Sequence, residues 1–201
     1  MKKILCYGDS NTFGFNPLNG KRFDEKTRWS GILKKALFEN YEIIEEGLNN
    51  RTAFVNNPNG IEYNTNVQLL KILETYNDIK YLILSVGVND FQFQYDLNSK
   101  TLESELKALL EKILNKNIKP IIILPNKLDE KIFNGYFSCL FNEKSILKSK
   151  ELSKIYQKIA SELNCQFIDT STFTTPSEID GLHYDETSHR LIAQEIIKLI
   201  S

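Results

Sequence analysis

Cysteine is scarce: the 201 residues hold three, Cys6, Cys139 and Cys165, widely spaced and odd in number. That pattern fits neither a disulfide framework nor a metal knuckle, and it points to a reducing, cytoplasmic setting. Histidine is scarcer, with His183 and His189 alone, so chemistry that needs an imidazole has a narrow choice. Neither sign of charge prevails, since 25 Lys and Arg stand against 26 Asp and Glu for a formal net charge of −1. Without a block of like charge there is no footprint for nucleic acid or an anionic membrane, and a neutral or modestly polar small molecule is the better partner. Long apolar runs are missing as well. The stretch Ile4-Leu5-Cys6-Tyr7 stops at Gly8-Asp9-Ser10, far short of a signal-peptide core or a membrane span, and reads as a first strand.

What is present suits a globular chain. With 41% hydrophobic and 25% charged residues, and no repeat, low-complexity tract or linker, residues 1–201 are expected to form one domain that buries a full core. Apolar runs of strand length recur at 3–7, 41–45, 81–86, 120–124 and 166–169. Between them lie segments of helical period at about 29–38, 66–76, 102–114, 151–163 and 187–200. The clearest is 102–114, where Leu102, Leu106, Leu109, Leu110 and Ile113 share one face. Strands alternating with helices predict a three-layer α/β/α sandwich around a five-stranded parallel sheet, flavodoxin-like in arrangement. Ligands in such folds sit beyond the carboxyl ends of the strands, which directs attention to 8–11, 47–52, 87–90, 125–128 and the stretch before the last helix.

Three fragments at these ends carry chemistry. Gly8-Asp9-Ser10-Asn11-Thr12 follows the first strand; alone it reads most simply as a turn with Ser10 capping a helix. Asp180-Gly181-Leu182-His183 precedes the last helix. A serine hydroxyl is a poor nucleophile until an imidazole takes its proton, and that imidazole needs a carboxylate to fix its tautomer. An Asp three residues before a His on a turn supplies both, although an ordinary turn followed by a surface histidine has the same spelling. His189 lies within the last predicted helix and is read as structural. The third fragment, Gly87-Val88-Asn89-Asp90, offers Asn89 as a side-chain donor to a developing oxyanion, against the plain reading of Asn and Asp as turn residues. Asp9 and Asp90 are assigned structural or capping roles.

Together, in this order, the fragments resemble the SGNH (GDSL) hydrolase family over almost the whole chain. The likeness is greatest to its small bacterial arylesterase and acyltransferase branch, through 4–14, Arg28-Trp29, Glu45-Glu46-Gly47-Leu48 with Arg51-Thr52, and 180–183. The resemblance implies a serine esterase acting on short acyl groups of a small-molecule ester, by hydrolysis or acyl transfer, with no metal or organic cofactor. Ser10, Asp180 and His183 would be catalytic, and Ser10, Asn50 and Asn89 would form the oxyanion hole. The family's second block, laid on 47–52, puts the backbone donor at Asn50 rather than Gly47. Asparagine tolerates the left-handed conformation such a donor needs. Asn50-Arg51-Thr52 also spells a glycosylation sequon, set aside because nothing indicates secretion. Arg28, Trp29 and Arg51 either anchor loops or touch substrate; packing and ion pairing are the commoner fates.

The apolar segment 132–141 has three readings: buried core, lid over an acyl pocket, or subunit contact. The resembling branch favours the last two and with them a homo-oligomer. Two rival functions stand. One is a nucleotide- or phosphate-binding module built on Gly8-Asp9-Ser10-Asn11-Thr12, which lacks Gly-x-Gly-x-x-Gly and any P-loop and leaves Asn89 and the Asp180/His183 pair unexplained. The other is a non-catalytic binding protein of the same fold.

Overall fold

A computed structural model describes residues 1–96 and 98–200. Five strands form at the five apolar runs: β1 (Lys2–Gly8), β2 (Tyr41–Gly47), β3 (Ile79–Ser85), β4 (Lys119–Ile123) and β5 (Gln166–Ile168). All pair in parallel, in the order β2-β1-β3-β4-β5. The helices are α1 (Ser10–Phe13), α2 (Trp29–Leu37), α3 (Thr65–Thr75), α4 (Ser99–Asn115), α5 (Glu143–Glu162) and α6 (Glu186–Ile200).

Alternation along β1 divides the core. Leu5 and Tyr7 pack with Leu69 of α3, Leu106 and Leu110 of α4, and Tyr156 and Ile159 of α5. Ile4 and Cys6 face the opposite layer, with Trp29 and Leu33 of α2 and Ile192 and Ile196 of α6. Each buried leucine or isoleucine stabilises the sandwich by about 1.5–3 kcal/mol relative to exposure. The strand order reverses between β1 and β3, and there the registers Gly8↔Gly47 and Gly8↔Ser85 bring three strand ends level. The loops bearing Ser10, Asn50 and Asn89 therefore leave the sheet at one height, at the switch point where such sheets open a crevice.

The sequence pattern misjudges one helix. α5 begins at Glu143, eight residues before the expected start at 151. Asn142 and Ser145 form a capping box there, and the fully buried residues of the first turns are Ser145 and Ser149, with Ile146 only partly buried against the core, so the inward face carries little hydrophobic period to read.

Candidate active site

The β1 strand ends in a single helical turn. Its N-cap is Asp9, whose carboxylate accepts from the Asn11 N–H at 3.0 Å. The capping role considered for Ser10 thus belongs to its neighbour, and the Ser10 hydroxyl is free to project elsewhere. Burial raises the Asp9 carboxyl to about 7, opposed by the Asn11 N–H and the Arg51 guanidinium. Ser10 Oγ lies 2.9 Å from His183 Nε2. On the other side of that ring, Nδ1 lies 2.7 Å from Asp180 Oδ2. Asp180 is fully buried, and its second oxygen accepts from the backbone N–H groups of Leu182 (3.0 Å) and His183 (2.9 Å). Burial alone would raise this carboxyl, but the His183 ring and the two backbone donors hold it below the ordinary value.

Residues far apart in sequence keep that geometry. Asn11, next to the serine, accepts from the Tyr184 N–H at 3.1 Å, and Asn126 donates to the Leu182 carbonyl at 2.9 Å; His183 is thereby held from both flanks. The 132–141 segment supports the same loop from above. A Cβ added to Gly135 would stand 2.5 Å from Asp180 Cα, and one on Gly181 would stand 2.5 Å from the Ile132 nitrogen. Only glycines allow the two backbones to approach so closely. Ile132 and Phe141 are buried, as the core reading requires, while Tyr136 is 80% exposed. Phe137 turns its edge to the His183 ring at 5.3 Å, and Phe15 lies against that ring at 4.3 Å. The segment is therefore partly core and partly a wall of the site.

Asn50 has φ 61, the left-handed conformation expected for a backbone donor there. Gly47 is glycine for a different reason: a Cβ on it would collide with the Phe13 nitrogen at 2.2 Å, so it serves packing between β2 and α1. Among the described residues neither the Ser10 nor the Asn50 backbone N–H has an acceptor. Asn89 sits in a 3-10 turn over Val88–Phe91 and donates through Nδ2 to the Arg51 carbonyl at 3.0 Å. Ser10, Asn50, Asn89 and His183 line one cavity of about 510 Å³. One wall is carboxamide, from Asn49, Asn59, Gln92 and Gln94; the other is apolar, from Phe15, Phe137, Leu140, Phe141 and Leu182. No Lys, Arg, Asp or Glu among the described residues lines it, which leaves a phosphate-binding reading without a counter-charge.

Other singled-out residues hold the frame. Arg28 makes a two-pronged pair with Glu45 at 2.7 Å for each prong. Burial would raise Glu45, but Arg28 and the Ser30 hydroxyl bring it down to about 2. Trp29 Nε1 donates to the Asn11 carbonyl at 3.1 Å. Arg51 is buried, donates to the Gly8 and Glu46 carbonyls, and lies over the Tyr7 ring at 4.0 Å. Asp90 gathers the backbone N–H groups of Ala53, Phe54 and Val55 at 2.6, 2.9 and 3.1 Å, and burial raises it to about 6. His189 is buried and accepts from the Trp29 N–H at 3.4 Å, in keeping with its structural assignment. Sequence reasoning missed Gln92 and Phe15, because a lone glutamine or phenylalanine carries no spacing signal, whereas Phe137 lies in the 132–141 segment that its apolar run had singled out.

The family model for GDSL-like lipase/acylhydrolases matches residues 4–196. No curated protein sequence matches the chain. Among solved structures, the native aryl esterase of M. smegmatis superposes with a TM-score of 0.87 at 27% identity, over 99% of this chain and 100% of that one. A carbohydrate acetylesterase from Sinorhizobium meliloti gives 0.85 at 25%, over 99% and 100%. A lipase/acylhydrolase from Enterococcus faecalis gives 0.72 at 20%, over 100% and 95%, and shares the fold. With its parallel α/β sandwich and a serine, histidine and aspartate in hydrogen-bond sequence at the sheet's switch point, the chain belongs to the GDSL-like lipase/acylhydrolase family and is a carboxylic ester hydrolase.

Proposed function

We propose that this hydrolase cleaves short-chain acyl esters of uncharged alcohols through an acyl-enzyme on Ser10. The observation that carries the reading is the continuous chain from Ser10 Oγ through His183 to Asp180, at 2.9 and 2.7 Å. His183 Nε2 takes the Ser10 proton as Oγ attacks the ester carbonyl, and Asp180 keeps Nδ1 protonated and stabilises the imidazolium that forms. The carbonyl oxygen becomes an oxyanion that accepts from the Ser10 and Asn50 backbone N–H groups and from the Asn89 carboxamide. On collapse the C–O bond to the alcohol breaks and the imidazolium proton leaves with the alcohol. Water then gives a proton to His183, attacks the acyl group, and releases acid and free Ser10; a second alcohol in place of water gives acyl transfer.

A charge-free cavity of about 510 Å³ suits a small neutral ester, with the phenyl rings on one side and the carboxamides on the other. The names of the aryl esterase and the carbohydrate acetylesterase make phenyl acetates and acetylated sugars the first substrates to try. We also propose self-association through the exposed part of 132–141 and action in the cytoplasm; light scattering giving a 23.3 kDa species would remove the first. A p-nitrophenyl ester series from acetate to octanoate should show turnover falling with chain length. The Ser10→Ala variant should be folded and inactive across the series; undiminished turnover in purified Ser10→Ala would sink the assignment.

A further inference from the structure

Two of the oxyanion donors, Asn50 and Asn89, come from separate loops, one after β2 and one after β3, and a side chain outside the quoted motifs joins them. Gln92 is 2% exposed. Its Nε2 donates to Asn50 Oδ1 at 3.1 Å and to Asn89 Oδ1 at 3.3 Å. Its Oε1 accepts from Gln94 Nε2 at 2.9 Å. A carboxamide has a donor end and an acceptor end of nearly the same shape, so an asparagine in an oxyanion hole is useful in one orientation and repulsive in the other. The polarity of this chain is fixed at its inner end. The Arg51 carbonyl can only accept, so Asn89 must turn its nitrogen toward it. Asn89 then presents its oxygen to Gln92, and Gln92 must answer with N–H.

From this we infer that Gln92 is a positioning residue for ester hydrolysis: it locks the Asn89 carboxamide with its nitrogen end available to the oxyanion and ties the Asn50 loop to the same frame. The inference rests on the reading of Asn89 and Asn50 as oxyanion donors. Neither N–H of Gln92 is left for substrate, since both are spent on the two asparagines. Its effect therefore passes through them. Without Gln92 the Asn89 side chain keeps one fixed partner, Arg51, and can rotate about that bond, so the donor is present but no longer held at the angle the transition state needs.

The test is a double-mutant cycle on p-nitrophenyl acetate, with active enzyme counted by fluorophosphonate titration so that misfolded protein does not enter kcat. Gln92→Leu in the natural background should lower kcat on the order of 10-fold, less than full removal of a donor, with KM changed by about twofold at most. In the Asn89→Ala background the same substitution should cost clearly less, about threefold, because of the two groups it positions only the Asn50 loop remains. Gln92→Glu, with the same shape and an acceptor where the donor was, should lower kcat at least as much as Gln92→Leu, and it serves if the leucine variant fails to fold. Equal fold-losses in the two backgrounds, or an unchanged kcat in Gln92→Leu or Gln92→Glu, overturn the positioning role. An unchanged kcat in Asn89→Ala itself overturns the oxyanion reading beneath it, which is a separate and recognisable failure.

Discussion

Replacing His189 with asparagine should change how stability depends on pH while leaving ester turnover in place. His189 is buried beside Phe23 and Tyr184, with its Nδ1 taken by the Trp29 N–H. Burial lowers its pKa from 6.5 to about 4, partly offset by Asp185 and reinforced by His183. Between those two values the unfolded chain binds a proton that the folded chain refuses. The unfolding free energy contributed by this group is therefore flat above pH 6.5 and falls as pH drops toward about 4. At about 1.36 kcal/mol per unit, the loss reaches about 2 kcal/mol near pH 5 and about 3 kcal/mol by pH 4. Asp9 and Asp90, raised to about 7 and about 6, act in the opposite sense. They bind protons in the folded state first, so acidification from about 7 toward 3.8 favours folding. Their contribution is common to both proteins and cancels in the difference. Urea unfolding of the natural protein and of His189→Asn at a series of pH values reads it directly. The asparagine can still accept from Trp29, and the lost ring volume subtracts a pH-independent amount. The natural protein should lose about 2 kcal/mol more than the variant between about pH 7.5 and about pH 5. Parallel curves would refute the argument that this imidazole is held neutral.

Four further outcomes follow from the site. Asp180→Asn should lower kcat by about 10⁴-fold with the fold intact, since the His183 tautomer is no longer fixed; steady-state kinetics on p-nitrophenyl acetate checks this. Asn89→Ala should lower kcat by about 10²-fold in the same assay. At Asn50, with φ 61, Gly should retain more turnover than Val, because a β-branched residue there costs about 1–2 kcal/mol and drags the N–H from its place. Gly135→Ala drives a methyl to 2.5 Å from Asp180 Cα; it should destabilise by about 1–3 kcal/mol in thermal melts and lower kcat by displacing the carboxylate.

Much of the fold and of the candidate site is legible in the sequence. The five strands announced themselves because buried parallel strands are short apolar runs. α4 showed a clean stripe in Leu102, Leu106, Leu109, Leu110 and Ile113, all buried. Asp180 and His183 pair from sequence alone because they are three residues apart on one turn. Ser10 is brought to them only through the topology, since it lies 173 positions from His183 in the chain. The start of α5 was hidden because its inner face is serine. Asp9, read as structural or capping, is the N-cap of α1, and the alternative of Ser10 as the cap falls; the two residues are equally apt caps and only the backbone decides which is used. Gln92 was invisible for a deeper reason. Its importance lies in which amide end meets which partner, and that depends on the Arg51 carbonyl, 41 positions away in sequence and fixed only by the fold.

The most direct measurement is the mass and location of a covalent adduct. Incubation with a fluorophosphonate, followed by intact-mass and peptide mass spectrometry, should show one phosphonyl group per chain, carried on Ser10, with labelling abolished in Ser10→Ala and greatly slowed in His183→Ala. Labelling on another residue, or none in a protein that still hydrolyses p-nitrophenyl acetate, would contradict a Ser10 acyl-enzyme.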